Sequence, residues 1–245
     1  MMKRYKILLL GCNGFIGSNL LNNLNNRYPV ICAGYATEYD QLDKLVNESD
    51  IIIHAIGVTR SNNENDFYRI NIDFSFKLYS ILSKYNGKNL IYFSSIHYNR
   101  NDIYGFSKRY NEYLFSSEEL VIKNNVNIIR TPGIFGPGAK PNNVSVISTF
   151  CYNEINNINS IINEPDKELE FLYIDDLLLL IEKLFSNTNR INIIHADVVK
   201  ITVIELYNLI KNIQNKSLSK NAIFYPSNFI DNILKSLNFF KNASK

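Results

Sequence analysis

Residues 5–10, Tyr-Lys-Ile-Leu-Leu-Leu, run directly into Gly11-Cys-Asn-Gly14-Phe-Ile-Gly17, and an apolar helical pattern follows through Leu24. An apolar run, three glycines spaced by three and a helical pattern predict a strand, a tight turn and a helix. The first glycine permits the turn, the second lets a pyrophosphate approach the backbone, and the third lets the helix close on the strand. The alternation then recurs. Short apolar runs at Val30–Ala33, Ile51–Ala55, Leu90–Phe93 and Val126–Ile129 read as strands, with helical patterns between them, notably Asp66–Lys84 and Tyr104–Ile122. Near-continuous apolar runs suit strands covered on both faces. Right-handed crossovers between them make an α/β chain with a doubly wound parallel sheet.

Past Arg130 the pattern loosens. Thr131-Pro-Gly-Ile-Phe-Gly-Pro-Gly138 reads as a loop, and Asn142–Asn156 as a helix. Phe171–Ile174 reads as a strand leading into a helix from Asp175, and Ile191–Ile194 and Thr202–Lys211 as another strand and helix. The expected organisation is a dinucleotide-binding core over residues 1–135 and a smaller substrate-binding lobe over 136–245, interleaved as a single structural unit.

Composition bounds the partners. A charged fraction of 20%, a hydrophobic fraction of 46% and a net charge of +3 are ordinary for a soluble globular protein and argue against nucleic acid. No apolar run approaches the roughly 18 residues of a membrane span. Ile7–Leu10 is too short for a signal-peptide core. Cys12, Cys32 and Cys151 are an odd, widely spaced set that matches no metal or redox spacing and suits a reducing compartment. A cytoplasmic protein without a metal is expected.

The free N–H groups and positive potential at the start of the first helix suit phosphates. A glycine turn without a ligand is the bland alternative. The flanking strand and helix favour a dinucleotide. The end of the second strand normally reads the adenosine ribose, and an acid there selects NAD. Here it reads Ala33-Gly34-Tyr35-Ala36, with neither acid nor arginine. That slightly favours NADP(H) over NAD(H), by absence of repulsion. Asp40, further on, is either an adenine contact or a helix N-cap.

Tyr104 and Lys108 stand four apart in a helical pattern and so share a face, about one turn from each other. The ammonium can stabilise a phenolate there, whose ordinary pKa of about 10 is too high for a base at neutral pH. Lowering it by roughly 3 units takes about 4 kcal/mol, within reach of a desolvated cation. Ser95, nine residues upstream, supplies a hydroxyl to hold a substrate oxygen beside the tyrosine. Ser95, Tyr104 and Lys108 together form a proton-transfer device for carbonyl and alcohol chemistry. The tyrosine–lysine spacing alone also arises on ordinary surface helices.

Taken in chain order, the motifs resemble the extended short-chain dehydrogenase/reductases, the NAD-dependent epimerase/dehydratase family. They are Gly11–Gly17, Asp50-Ile-Ile-Ile-His54-Ala-Ile-Gly57, Asn71, Phe93-Ser94-Ser95, Tyr104–Lys108, Arg130 with Phe135-Gly-Pro137, and Phe171-Leu-Tyr-Ile-Asp-Asp176. The resemblance implies a Rossmann fold with a small C-terminal substrate-binding lobe, acting on nucleotide sugars. It implies Tyr104 as general acid/base, Lys108 as ribose contact and pKa modulator, and Ser95 as the hydroxyl on the reacting oxygen. Cofactor contacts are implied for Gly11, Asn13, Gly14, Phe15, Ile16 and Gly17, and for Ala55, Ile56 and Gly57, the last passing under the cofactor.

A narrower likeness is to the reductase domain of CapF-like capsular polysaccharide enzymes. It rests on His54-Ala-Ile-Gly-Val-Thr-Arg60, on the Ser95-to-Tyr104 spacing and on Lys140-Pro-Asn-Asn-Val-Ser-Val-Ile-Ser-Thr-Phe-Cys151. This likeness implies that Lys140, Asn142 and Ser145 face a UDP-sugar and that Arg60 lies near the active site. A solvated loop charge is an equal reading of Lys140. Gly133 stands where the family usually has a substrate-seating asparagine. CapF-like proteins also carry a C-terminal metal-binding cupin domain, and this chain stops near where that domain would begin. Any activity or dimerisation the cupin contributes is expected to be absent.

The residues beside Ser95 narrow the chemistry. Dehydratases of the superfamily place an Asp-Glu pair after the active hydroxyl, and 3,5-epimerising reductases place a cysteine there. This chain has Ile96 and His97. Reduction of a UDP-4-keto-6-deoxy (amino) sugar asks the least of these residues. The alternatives are a nucleotide-sugar 4-epimerase with retained NAD and a non-catalytic nucleotide-binding protein on the same fold. His97 is a candidate proton donor to a sugar oxygen or an exposed bystander. His54 and His195 read as structural, and Asp175 and Asp176 as helix-opening carboxylates. The stripe Phe229, Ile230, Ile233, Leu234 and Leu237 reads as packing on its own domain or on the sister subunit of a homodimer, with a membrane surface as the alternative.

Overall fold

The computed structural model describes residues 5–143, 145–216 and 225–243. The chain divides into two compact units, residues 1–131 with 178–196 and residues 132–177 with 197–245.

The first unit holds a six-stranded sheet in the order β2-β1-β3-β4-β5-β8. Its strands are β1 (Ile7–Leu10), β2 (Val30–Ala33), β3 (Ile51–His54), β4 (Asn89–Ser95), β5 (Asn125–Thr131) and β8 (Ile191–His195). Every neighbouring pair is parallel. Residues of β1, β3 and β4 are buried throughout, as their apolar runs require. The chain order reverses at β1, whose neighbours are β2 and β3. The carboxyl ends of strands at such a reversal are where doubly wound sheets bind ligands. The glycine loop leaves β1 at this end, and Ala55–Gly57 leaves β3 beside it.

Helices α1 (Phe15–Leu24), α2 (Tyr39–Glu48), α3 (Phe74–Leu82), α4 (Ile103–Phe115) and α5 (Glu118–Val121) connect the strands. The helix expected over Asp66–Lys84 begins as a π-helical segment, Phe67–Asp73, before continuing as α3. The wider turn buries both Phe67 and Asn71. The helix expected over Tyr104–Ile122 breaks at Ser116, and Ser117 becomes the N-cap residue of α5.

Cys12, in the glycine loop, and Cys32, on β2, form a disulfide with Cα atoms 6.0 Å apart. This pair corrects the expectation that the three cysteines match no redox spacing and suit a reducing compartment. Twenty residues separate the pair in sequence, but β1 and β2 are neighbours and the Gly11 amide donates to the Ala33 carbonyl at 2.9 Å. Cys151 is free and buried.

The second unit holds β6 (Gly133–Phe135), β7 (Glu168–Tyr173) and β9 (Val199–Thr202), in that order. The expected loop over residues 131–138 is thereby corrected. β5 continues to Thr131, and Gly133–Phe135 pair in parallel with Phe171–Tyr173. Pro132 and Pro137 flank the paired residues, so no ladder hydrogen bond is lost to them. Helices α6 (Val146–Ile155), α8 (Val203–Gln214) and α9 (Ser227–Ala243) pack in this unit, and α7 spans Ile174–Lys183. A capping box between Thr202 and Glu205 starts α8. On α9, Phe229, Ile233 and Leu237 are buried, Ile230 is half-buried and Leu234 is exposed. The Phe229 ring stands 5.6 Å from that of Phe135, so the stripe packs on its own unit. Among the described residues no helix is long and apolar enough to cross a membrane.

Candidate active site

Gly11 has φ +95°, in the left-handed region, and a Cβ there would lie 2.9 Å from the Ala55 backbone. A Cβ on Gly17 would overlap the Gly11 carbonyl oxygen, so α1 crosses the loop at backbone contact. Gly14 is the N-cap of α1, without a side-chain cap hydrogen bond, and the first turn carries no acid. The N–H groups of Phe15 and Ile16 therefore stand at the positive end of an uncapped helix, with Asn13 and Gly14 exposed beside them. These residues fit a pyrophosphate.

At the end of β2 the Gly34 amide donates to Thr37 Oγ1 at 3.1 Å. Tyr35 is exposed, with the Arg69 guanidinium 5.8 Å from its ring centre. Asp40 lies in the first turn of α2, and the N-cap expected there falls on Glu38.

β4 ends in buried Ser94 and Ser95. After a short loop, Asp102 caps α4 by accepting from the Gly105 amide at 2.8 Å. This start places Tyr104 in the first turn, with its hydroxyl close enough to Ser95 for the serine hydroxyl to favour the phenolate. One turn on, Lys108 is buried and its Nζ donates to the Phe93 carbonyl at 2.8 Å. That nitrogen lies 5.3 Å from the Tyr92 ring centre and 5.8 Å from that of Tyr104. A Cβ on Gly57 would stand 3.6 Å from Lys108 Nζ and from Asn71 Oδ1, so the bare glycine leaves a floor beside the lysine.

Asn71 holds that floor in place. It accepts from the Val58 amide at 2.7 Å, and its Nδ2 donates to the Val58 carbonyl at 3.0 Å and to Ser107 Oγ at 3.1 Å. Asn111 donates to the Asn71 carbonyl at 2.9 Å and to the Tyr92 hydroxyl at 3.0 Å. The π-helical turn is thus bonded to α4 and to the segment after β3, and Asn111 in turn links α4 to β4.

Burial pushes the Lys108 amine down to about 8, with the charge of Glu112 opposing it. Burial also raises Tyr104 above the ordinary phenol range, against the hydrogen bond from Ser95. The expectation of a lowered Tyr104 is corrected here. Desolvation outweighs the Ser95 hydroxyl and the charge of Arg100, and the Lys108 ammonium donates to the Phe93 carbonyl. Tyr104 is held as a protonated phenol, a proton donor at neutral pH. His54 is buried and pushed down to about 3, first by burial and then by Lys108. Its Nε2 meets Ser75 Oγ at 2.9 Å, a structural role as expected.

The remaining expected positions divide by unit. In the first, the backbone amide of exposed His97 donates to Ser95 Oγ at 3.1 Å, and Arg60 is exposed on the loop after Gly57. In the second, Lys140 and Asn142 are exposed, and the Asn142 amide donates to Thr149 Oγ1 at 2.8 Å. Ser145 is buried at the start of α6, and among the described residues its hydroxyl has no hydrogen-bond partner. Val144, in the same stretch, lies outside the described residues. Gly133 is packed under Phe171, whose Cδ1 would lie 3.0 Å from an added Cβ, so the ring fills the space an asparagine would need. Among the described residues no three His, Cys, Asp or Glu side chains are grouped to hold a metal ion.

Sequence reasoning missed Asn111, Ser107, Tyr92 and Glu112. A usable signal was present for two of them: Glu112 continues the Tyr104–Lys108 spacing by four, and Asn111 stands four beyond Ser107.

Residues 7–193 match the model of the NAD dependent epimerase/dehydratase family, and the chain belongs to that family. A UDP-2-acetamido-2,6-beta-L-arabino-hexul-4-ose reductase of Pseudomonas aeruginosa is 33% identical over 177 residues, which are 71% of this chain and 47% of that protein. The chain thus spans about half the length of the curated relative it matches. The structure of the capsular polysaccharide assembling protein CapF of Staphylococcus aureus superposes with a TM-score of 0.78 at 25% identity, over 98% of this chain and 66% of CapF. RMD of Pseudomonas aeruginosa, solved with NADPH, shares the fold with a TM-score of 0.78 at 17% identity, over 98% of each chain.

Proposed function

We propose that this protein is an NAD(P)-dependent nucleotide-sugar oxidoreductase that reduces a UDP-4-keto-6-deoxy (amino) sugar, in the synthesis of a capsule or O-antigen. The observation that carries this reading is Tyr104 in the first turn of α4 beside buried Ser95, one turn from buried Lys108, whose Nζ donates to the Phe93 carbonyl at 2.8 Å. A phenol kept protonated suits reduction, in which the nascent alkoxide takes a proton. The reductase relative in Pseudomonas aeruginosa and the likeness to CapF support the substrate class and the pathway.

Gly11, Asn13, Gly14, Phe15, Ile16 and Gly17 would hold the pyrophosphate of the cofactor. Ala55, Ile56 and Gly57 would face its nicotinamide half, and Tyr104 and Lys108 its ribose. The bound nicotinamide supplies the hydride. The chain's own part is the proton: Ser95 and Tyr104 orient the ketone oxygen by hydrogen bonds, and the Tyr104 O–H bond breaks as that oxygen becomes a hydroxyl. The Lys108 ammonium stabilises the phenolate left behind.

NADP(H) is favoured over NAD(H) because Ala33–Ala36 carries no carboxylate and Arg69 reaches Tyr35. By the likeness to CapF, Lys140, Asn142 and Ser145 of the second unit are assigned to the UDP-sugar, and among the described residues the Ser145 hydroxyl has no hydrogen-bond partner; in the first unit Arg60 and His97 are assigned to the substrate. Exposed Phe76, Phe106 and Tyr113 on α3 and α4 support pairing with a second copy as a homodimer. The cytoplasm, where nucleotide sugars are made, is the proposed location.

The test is consumption of NADPH or NADH with a UDP-4-keto-6-deoxy sugar, read with the sugar alcohol formed. Equal amounts of oxidised cofactor and alcohol are expected. Interconversion of C4 epimers without net cofactor consumption would replace reduction with epimerisation. Cofactor binding without turnover of any nucleotide sugar would overturn the enzymatic reading.

A further inference from the structure

Glu112 stands eight residues beyond Tyr104 and four beyond Lys108, on the same face of α4. Its carboxylate is almost wholly buried, with 9% of the side chain exposed. Oε1 accepts from Ser94 Oγ at 2.5 Å and from Arg130 Nε at 3.1 Å, and Oε2 accepts from Arg130 Nη2 at 2.7 Å. Ser94 and Arg130 are register partners on β4 and β5, one position before Ser95 and Thr131. A single side chain therefore ties α4 to two adjacent strands next to the reacting hydroxyl. The Arg130 guanidinium lies 3.6 Å over the Tyr98 ring, which fixes the other side of the pair.

A surface ion pair contributes little, whereas a buried, bidentate pair fixes geometry and is costly to break. Lys108 reaches the Phe93 carbonyl and Glu112 reaches Ser94 Oγ. With both anchors set, the preceding turn of α4 brings Tyr104 to Ser95.

We propose that Glu112 is a positioning residue for the reaction, pinning α4 to β4 and β5 so that Tyr104 meets Ser95, and keeping Lys108 charged. This rests on the reading of Tyr104 as proton donor and Lys108 as its partner. The charged and titratable groups around the pair are Tyr104 on α4, Tyr92 on β4, Arg130 on β5, His54 on β3 and Tyr98 in the loop after β4. Glu112 is the carboxylate among them. It opposes the burial that drives the Lys108 amine down to about 8.

Two variants separate charge from position. Glu112→Gln keeps the size, removes the charge and turns one of the two acceptor oxygens into an NH2 donor, so the bidentate acceptance from Arg130 is lost with the charge. Glu112→Asp keeps the charge and withdraws it by one methylene. In Glu112→Gln the alkaline fall of kcat is expected to move down by roughly 1 pH unit, with the cofactor KM unchanged. In Glu112→Asp the pH profile is expected to stay and kcat to fall about tenfold. Nitrogen-15 NMR titration of Lys108 Nζ needs no substrate and should show the same downward move in Glu112→Gln alone. An unshifted Lys108 titration in that variant overturns the charge role, and parental kcat in Glu112→Asp overturns the positioning role. Should Glu112→Gln fail to fold, Glu112→Asp still decides the positioning role. Should the unaltered protein reduce no nucleotide sugar, the functional reading fails, and the titration still tests Glu112.

Discussion

Lys108 Nζ donates to the Phe93 carbonyl oxygen at 2.8 Å, which pins the middle of α4 to β4 two residues before Ser95. The cost is burial of an ammonium, seen in an amine pushed from 10.5 down to about 8. A base depressed in the folded state binds its proton more weakly there than in the unfolded chain. Stability from this group therefore rises as pH climbs from about 8 to 10.5 and is lost below. Lys108→Met should be more stable than the parent at neutral pH by about 1–3 kcal/mol and lack that rise. Its kcat should fall by about 10² or more. Urea melts across pH, beside steady-state rates, check both.

Gly57 faces Asn71 Oδ1 and Lys108 Nζ across 3.6 Å of added-Cβ distance. That is ordinary contact for the Cβ of Gly57→Val. Its branches would fill the floor assigned to the nicotinamide. Cofactor Kd, read by titration calorimetry, should rise about tenfold or more, a loss of about 1.4 kcal/mol. Parental affinity would remove Gly57 from the cofactor site.

Gly133→Asn should destabilise this chain. The added Cβ would meet Phe171 Cδ1 at 3.0 Å and the Glu170 carbonyl at 3.1 Å. Overpacking of this kind costs about 1–3 kcal/mol. Pairing it with Phe171→Ala should recover part of the loss relative to Phe171→Ala alone, and a double-mutant cycle of thermal melts measures the coupling.

His54 sets the acid behaviour. Its ring lies among Phe74, Tyr92 and Phe115, with centroids 5.5, 5.3 and 6.0 Å away, and its pKa is about 3 against 6.5. The unfolded chain binds the proton first, so stability should fall by about 1.4 kcal/mol per pH unit as pH drops from 6.5 towards 3. His54→Leu should lose that share of the slope, which denaturant melts between these pH values would show.

Much of the first unit was legible because a parallel sheet covered on both faces writes itself as apolar runs. β1, β3 and β4 are buried along their whole length. The glycine loop was legible for a steric reason, since Gly11 and Gly17 admit no Cβ. The π-helical turn was not, because seven residues cannot separate a period of 3.6 from a wider one. β6 was hidden by Pro132 and Pro137, which lie just outside its paired residues. The Cys12–Cys32 pair and the Ser94–Glu112–Arg130 network join residues far apart in sequence, and only the strand order brings them together. The sign of the Tyr104 shift was also beyond the sequence, because spacing reports a nearby cation and not the depth of burial.

Tyr104→Phe tests the central claim most directly, with turnover of a UDP-4-keto sugar and cofactor Kd measured on the same preparation. Removing only the hydroxyl should lower kcat by about 10²–10⁴ and leave cofactor Kd unchanged. Turnover near the parental rate would contradict Tyr104 as the proton donor, and with it the reading of this site as a nucleotide-sugar ketoreductase.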